Sequence, residues 1–457
     1  MKSLSRIGLA VLFLSLTILS SNAQEQLTYR APTQLPDTRP EMNTPGFWVS
    51  RHPSPDRIIM TPDEIRAFNS AIRGKVKQVK DIASLAKDFS GDELTRILRS
   101  NYEDLKNKEY FSRDGQLISG LFLQEQLSNL NLASVASVIE PEFAFVLRYT
   151  AQRFLPTDEP FYEQPGDWDF DYLQNNALEL ATPIVILHKS FDGQWVYAMG
   201  PTSDGWVRTR DVVLCALKDI EDYLGAQRWS VVIASKADVF LDPELTKFDQ
   251  YVQMGARFPK ENKQDEQGVV ALKVPHMRND GRFVFRTVYM AQGDVYDGFL
   301  PYTPRVIYQQ AFKLLNEPYG WGGMYGEQDC SRFLQEIFAT VGIDLPRDSR
   351  DQAKVGSGVA SFDLNISGPS SQKLDLFPKA VGGISVLTMK GHIMLYLGEV
   401  DKKPYAIHAV WAYREPAGDE DRIRVINRVV VSGLDLGDGS KKGSLLKRLT
   451  GIRNFSK

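Results

Sequence analysis

A Gly-rich loop that runs straight into a cysteine and then into an amphipathic helix constrains this chain more than any other stretch. It spans Pro318 to Ser349 and reads PYGWGGMYGEQDCSRFLQEIFATVGIDLPRDS. Phe333, Leu334, Ile337, Phe338 and Val341 recur at helical spacing and form one apolar face, and Gly342 supplies a stop before Leu345 and Pro346. The helix must bury that face, and Cys330 falls at or near its N-terminus. Unpaired backbone N–H groups and the positive end of the helix dipole favour a thiolate at such a place. The spacing therefore predicts a depressed thiol pKa and a nucleophile at neutral pH.

The rest of the chain is long enough to serve that segment. With 457 residues, 43% of them hydrophobic, and a formal charge of -3, it reads as several globular domains and not as a disordered or membrane chain. Lys and Arg are scattered among nearly as many acids, without the basic footprint that a phosphate backbone demands, so nucleic acid is not an expected partner. Residues 1–23 read as a cleaved secretory signal. Lys2 and Arg6 give the positive start, Ile7 to Leu19 the apolar stretch, and Ser21-Asn22-Ala23 the cleavage site. That run is shorter than the roughly 20 residues of a membrane span, and no later segment is apolar enough to be one. The expectation is an exported protein, periplasmic or extracellular. Nothing in the sequence sets an oligomeric state.

Export makes the two cysteines informative. A Cys215–Cys330 disulfide is the simplest reading for an oxidising compartment. Against it, Cys215 lies in the apolar run Val212 to Leu217, which reads as a buried strand where a free cysteine behaves as a small hydrophobe.

The organisation predicted from patterning is α+β. After the signal, residues 24–140 make a Pro-rich arm, extended as far as about Thr61, and then a mostly helical region. Thr61-Pro62-Asp63-Glu64 is a strong helix start, and Ile82 to Leu98 is predicted to continue in helices. From about Phe143 the apolar period shortens towards two. Short strands at Ile184–His188, Trp195–Ala198 and Ser203–Val207, joined by Asp-Gly turns, read as a small β-barrel over 141–222. A weaker second unit of the same kind covers 223–295. This spacing of strand, turn and Trp resembles the bacterial SH3-like domains.

Residues 296–457 carry the chemistry. A helix from Tyr302 to Leu315 leads into the Gly-rich loop, and strands follow at Gly383–Leu387, Gly391–Gly398 and Tyr405–Val410. His392 and His408 lie on the last two. A helix bearing a cysteine, followed by an antiparallel sheet bearing histidines, is the order of parts in a papain-like peptidase. There a thiolate attacks a carbonyl, an imidazole moves the proton, and a third polar group orients the imidazole. Either histidine alone would more often be a satisfied core group; the pair behind a candidate nucleophile points to catalysis. No His-Glu-x-x-His helix or paired-cysteine knuckle is present, so neither metal nor other cofactor is expected.

The loop PYGWGGMYGEQDCSRF, the LPRDS after it and the strand GHIMLYLG together resemble the NlpC-type cell-wall peptidases, in order and in separation. With the SH3-like region and the N-terminal extension, the resemblance covers nearly the whole mature chain. It implies a γ-D-glutamyl-L-diamino-acid endopeptidase that cuts peptidoglycan stem peptides between D-Glu and diaminopimelate or lysine. It also implies roles for residues: Cys330 nucleophile, His392 general base, His408 the orienting third residue, and Tyr319 the loop tyrosine beside the nucleophile. Asp329 would bind the free amine of a stem's first L-Ala, with Ser331 and Ser349 as further substrate contacts. Trp206 and its neighbours on the barrel are candidates to complete that amine pocket. Bland roles stand beside these: Tyr319 as a packed aromatic, Asp329 as a helix N-cap, and the serines as ordinary turn residues. Two other functions fit the same parts, namely an N-acetylmuramoyl-L-alanine amidase or acyltransferase on the same core, and a non-catalytic wall-binding protein.

Overall fold

The computed structural model describes residues 29–30, 34–85, 88–261, 268–362 and 373–457; the predicted signal segment lies outside them. The C-terminal part is built on a seven-stranded sheet. Its order is Tyr29–Arg30, Glu420–Gly433, Lys403–Ala417, His392–Val400, Ser385–Met389, Leu449–Asn454 and Ser357–Ser361. All neighbours are antiparallel except Tyr29–Arg30, which adds in parallel to an edge. The predicted amphipathic helix forms as Cys330–Ala339. Its Phe333, Leu334, Ile337 and Phe338 are fully buried, in one core with Val386, Ile393, Leu395, Ile407, Ala409 and Val429 of the sheet. Each such side chain contributes about 1.5–3 kcal/mol by leaving water. The helix Pro304–Lys313 packs beside it through Ile307, Tyr308 and Ala311. The other face of the sheet is covered separately, by a cluster that includes Leu387, Met394, Tyr396, Leu446 and Ile452.

The arm before Thr61 departs from the extended course its prolines predict. It makes a 3-10 turn at Pro40–Asn43 and a helix at Pro45–Val49. Proline is tolerated at the first helical position, where its missing N–H has no partner to lose. Trp48 then buries its indole in the core beneath the C-terminal sheet and donates Nε1–H to the Met42 carbonyl at 2.8 Å. The next helix, Pro62–Lys75, starts where predicted, with the Thr61 and Glu64 side chains capping each other's backbone N–H. Ile82 to Leu98 is not one helical run. Ile82–Ser84 is a single turn and the helix is Gly91–Lys106, because Ser90 caps it and Asp92 and Glu93 follow in the first turn, a stronger start than anything upstream.

Strands from Glu142–Val146 to Val212–Cys215 form a seven-stranded antiparallel sheet that curls around Phe145, Val185, Tyr197 and Trp206. Residues 229–297 form a three-stranded and a four-stranded sheet. They pack on the first unit, for instance through Phe145 stacked on Phe283. Both cysteines are free; Cys215 is half-buried, and burial pushes its thiol up to about 12, which leaves it inert.

What matters for the site is how the first of these units meets the Gly-rich loop. Its strand Gln174–Leu178 lies along the loop, with Gln174 Nε2 donating to the Gly322 carbonyl at 3.1 Å and Tyr149 Oη to the Gly323 carbonyl at 2.5 Å. Gly322 has a φ of +62°, and a Cβ there would come within 2.6 Å of the Gln174 side chain. Gly322→Ala is therefore expected to lower stability by about 1–3 kcal/mol, seen as a fall in the thermal midpoint. Gly298→Ala, at a φ of +76° but with open space around it, separates the backbone strain from the collision and should cost less.

Candidate active site

Cys330 is the first residue of its helix and Asp329 is the N-cap. The Asp329 carboxylate accepts the N–H of Ser331 at 3.2 Å and of Arg332 at 2.9 Å, so the site begins as a well-capped helix end. The Cys330 sulfur is buried, with the backbone N–H groups of Ile393 and Ser331 pointed at it. The expected low thiol pKa is not what this environment gives. Burial pushes Cys330 up to about 12, the neighbouring Asp329 charge adds to the rise, and the Ile393 N–H, the Arg347 charge and the Ser331 N–H offset only part of it. At neutral pH the resting group is a thiol.

His392 opens the strand His392–Val400 and His408 lies on Lys403–Ala417. The structure brings them together: His392 Nε2 is 2.8 Å from His408 Nδ1, and His408 Nε2 is 2.9 Å from Ser432 Oγ. Ile393, the next residue after His392, has its N–H on the sulfur, which brings the start of the His392 strand up to the nucleophile. Burial, helped by the Arg448 cation, lowers His392 to about 4. Burial and then the neighbouring His392 hold His408 well below the usual histidine value. Both imidazoles are neutral at pH 7. A thiol next to a neutral imidazole can transfer its proton as it attacks a carbonyl, which is general-base catalysis without a standing ion pair.

Asp329 is engaged from within the protein. Besides the two N–H groups it accepts Ser331 Oγ–H at 3.0 Å, the Gly322 N–H at 3.2 Å and both Nη groups of the buried Arg347. Burial alone would raise its carboxyl, but the Arg347 guanidinium and these donors hold it below the usual carboxylate value. Ser331 is occupied as well, since its hydroxyl also accepts from Arg347 Nη1 at 2.9 Å. The ion pair and the cap thus hold both the carboxylate and the hydroxyl in one internal network. Ser349 begins the short helix Ser349–Gln352, which packs between the nucleophile helix and the His392 strand. Tyr319 is half-buried, and burial followed by the nearness of Cys330 drives its hydroxyl far above the usual tyrosine value.

Trp206, a barrel candidate for the pocket, is buried inside its own unit against Tyr197 and His188. The barrel segment that reaches the site is instead the loop before Gln174–Leu178. Phe170 packs within 5.1 to 6.3 Å of Trp411, Trp321 and Tyr319, and Trp411 Nε1 donates to Asp169 at 2.7 Å. These aromatics are half-exposed and form a wall beside the nucleophile. Sequence reasoning missed Phe170, Trp411, Arg347 and Ser432. Arg347 stood inside the LPRDS stretch. Ser432 was visible only as a lone polar residue after Val429-Val430-Val431.

A cavity of about 1130 Å³ lies behind the nucleophile helix, lined by residues such as Asn69, Glu179, Met254, Arg332 and Glu336. It touches none of Cys330, His392 and His408, so its size does not make it the reaction site. Among the described residues no three His, Cys, Asp or Glu side chains converge as a metal would require. Nor is any described helix long and apolar enough to cross a membrane.

Comparison with known proteins bears on the family and the fold. Residues 316–409 match the NlpC/P60 family, and residues 160–208 match an SH3 domain of the SH3b1 type. A gamma-D-glutamyl-L-lysine dipeptidyl-peptidase of Bacillus subtilis (strain 168) is 44% identical over 63 residues. That match covers 14% of this chain and 21% of the relative, so only about a fifth of the relative's length is spanned. Among solved structures, an NlpC/P60 endopeptidase from Photobacterium damselae subsp. piscicida superposes with a TM-score of 0.76 at 20% identity. It covers 94% of this chain and 99% of its own, and the likeness is one of fold.

Proposed function

We propose, for a chain that carries an NlpC/P60 domain of papain-like fold beside an SH3b1-type domain, that it is a thiol peptidase of the bacterial cell wall. Its bond would be the one between γ-D-Glu and the diamino acid of a peptidoglycan stem peptide. The observation that carries this is the His392–His408 pair, 2.8 Å apart, on a strand whose next residue, Ile393, turns its N–H to the Cys330 sulfur. In this reading the Cys330 sulfur attacks the γ-carbonyl as His392 Nδ1 takes the thiol proton. The Cys330 N–H is the oxyanion donor that remains in the first turn, because Asp329 holds those of Ser331 and Arg332. His392 then gives the proton to the leaving amine, and water, activated by the same imidazole, releases the acyl group. Tyr319 and the Phe170–Trp321–Trp411 wall are substrate-facing, and Ser349 is a weaker contact on the opposite side. The enzyme would act outside the cytoplasm, on wall or on released wall peptides.

A preference for stems with a free N-terminal L-Ala remains part of the reading only through the wall, since Asp329 is engaged internally. In this reading the half-exposed Asp167, on the barrel loop beside Asp169 and Phe170, would be a carboxylate for such an amine. The test is mass spectrometry of products from free L-Ala-γ-D-Glu-diaminopimelate and from purified sacculi. Release of L-Ala-D-Glu is expected, faster from the free peptide. Muramic acid freed from L-Ala would favour the amidase alternative, and wall binding with no product would favour the scaffold.

A further inference from the structure

We propose that Ser432 is a positioning residue for the general base, a fourth member of the line that sets the tautomers of both histidines. The proposal depends on the peptidase reading only for its substrate. Ser432 lies on Glu420–Gly433, directly opposite Ala406, and so shares a face with His408 two residues further along the partner strand. It is fully buried and follows three valines. A hydroxyl in such a place costs free energy unless it is paired, and its partner is His408 Nε2 at 2.9 Å.

The consequence runs along the hydrogen bonds. His408 is fully buried and neutral, so it carries one N–H. With that proton on Nε2 it donates to Ser432 Oγ, and its Nδ1 accepts from His392 Nε2–H across 2.8 Å. His392 Nδ1 is then left with a lone pair for the thiol proton of Cys330. In the opposite direction His392 would carry its proton on Nδ1 and no base would face the thiol. A serine can accept or donate, but the protonated thiol at the other end needs an acceptor, and that need sets the direction. A neutral terminus also leaves no buried carboxylate to hold an imidazolium, in keeping with two histidines that stay uncharged.

Alanine at position 432 removes the acceptor. His408 would then place its proton on Nδ1, where a partner remains, and strip His392 of its role. The test compares wild type, Ser432→Ala and Ser432→Thr in the full chain. Two rates are followed: hydrolysis of the free tripeptide, and alkylation of Cys330 by iodoacetamide from pH 6 to 9, with peptide mapping to count Cys215 separately. For Ser432→Ala the expected result is a fall in kcat of about tenfold to a hundredfold with KM within about twofold, and slower alkylation at pH 7 that converges with wild type at high pH. Threonine should restore both. Imidazole nitrogen-15 shifts should show His392 protonated on Nε2 in wild type and on Nδ1 in the alanine variant. Unchanged kcat and alkylation in Ser432→Ala would overturn the proposal, as would a threonine variant that is as slow as alanine. If the tripeptide is not cleaved even by wild type while the alkylation and tautomer shifts appear, the substrate reading fails and the role of Ser432 stands.

Discussion

Alanine in place of Cys330 is expected to reduce release of L-Ala-D-Glu from the free tripeptide by about 10⁴-fold or more, to the limit of detection. The size follows from what the sulfur does and nothing else in the site can do. His392 and His408 carry a proton and no bond-forming atom of the right reach, and the nearby carboxylate, Asp329, is locked against Arg347. Without the sulfur no acyl-enzyme forms and the reaction is not divided into two easier steps. The fold should survive, because the change removes one atom from a core in which Phe333, Leu334 and Ile337 do the packing. An unchanged thermal midpoint with lost turnover is the expected pair of results. Retention of more than about 1% of wild-type turnover would remove Cys330 from the mechanism assigned to it.

The helix, the loop and the histidine strands were legible because each rests on a local signal: apolar spacing after Asp329, glycines before it, and a histidine set among apolar strand residues. The family resemblance rested on the same short stretches. What could not be read is what depends on pieces far apart in the chain. The Cys330 pKa is one case, since helix-end position is local whereas burial is a property of the assembled core, and burial dominates. The occupancy of Asp329 is another. Its neighbours Ser331 and Arg332 were foreseeable from capping, but Arg347 closes the pair only after the chain turns back 18 residues later. Ser432 is further still, because its value depends on strand register against Ala406. Trp206 and Phe170 show the same limit from the other side. Both are aromatics on one small barrel, and only the fold turns the first inward and the second towards Tyr319 and Trp321.

The largest expected stability effect comes from Arg347. Arg347→Met should destabilise the protein by about 3–5 kcal/mol, the usual consequence of leaving one member of a buried ion pair alone. Arg347 is 5% exposed, donates through Nη1 and Nη2 to Asp329, and places Nε at 2.7 Å from Asn176 of the barrel strand. It thus ties the cap of the nucleophile helix to the neighbouring domain, and its loss leaves the buried Asp329 charge without its cation and the Asn176 amide oxygen without its donor. The pH dependence gives the sign. In wild type the Asp329 carboxyl is depressed below its unfolded value, so its contribution is fully present above pH about 4 and is lost as pH falls through the folded pKa. Without the guanidinium, burial is left to dominate and the folded pKa rises. The carboxylate then destabilises increasingly as pH rises above about 4, so the gap in thermal midpoint between wild type and variant should be wider at pH 7 than at pH 4.5. Adding Asp329→Asn to Arg347→Met removes the stranded charge and should recover a large part of the loss, with little pH dependence remaining. A gap that does not change with pH, or a double variant no better than the single, would mean that Arg347 acts through packing and not through the Asp329 charge.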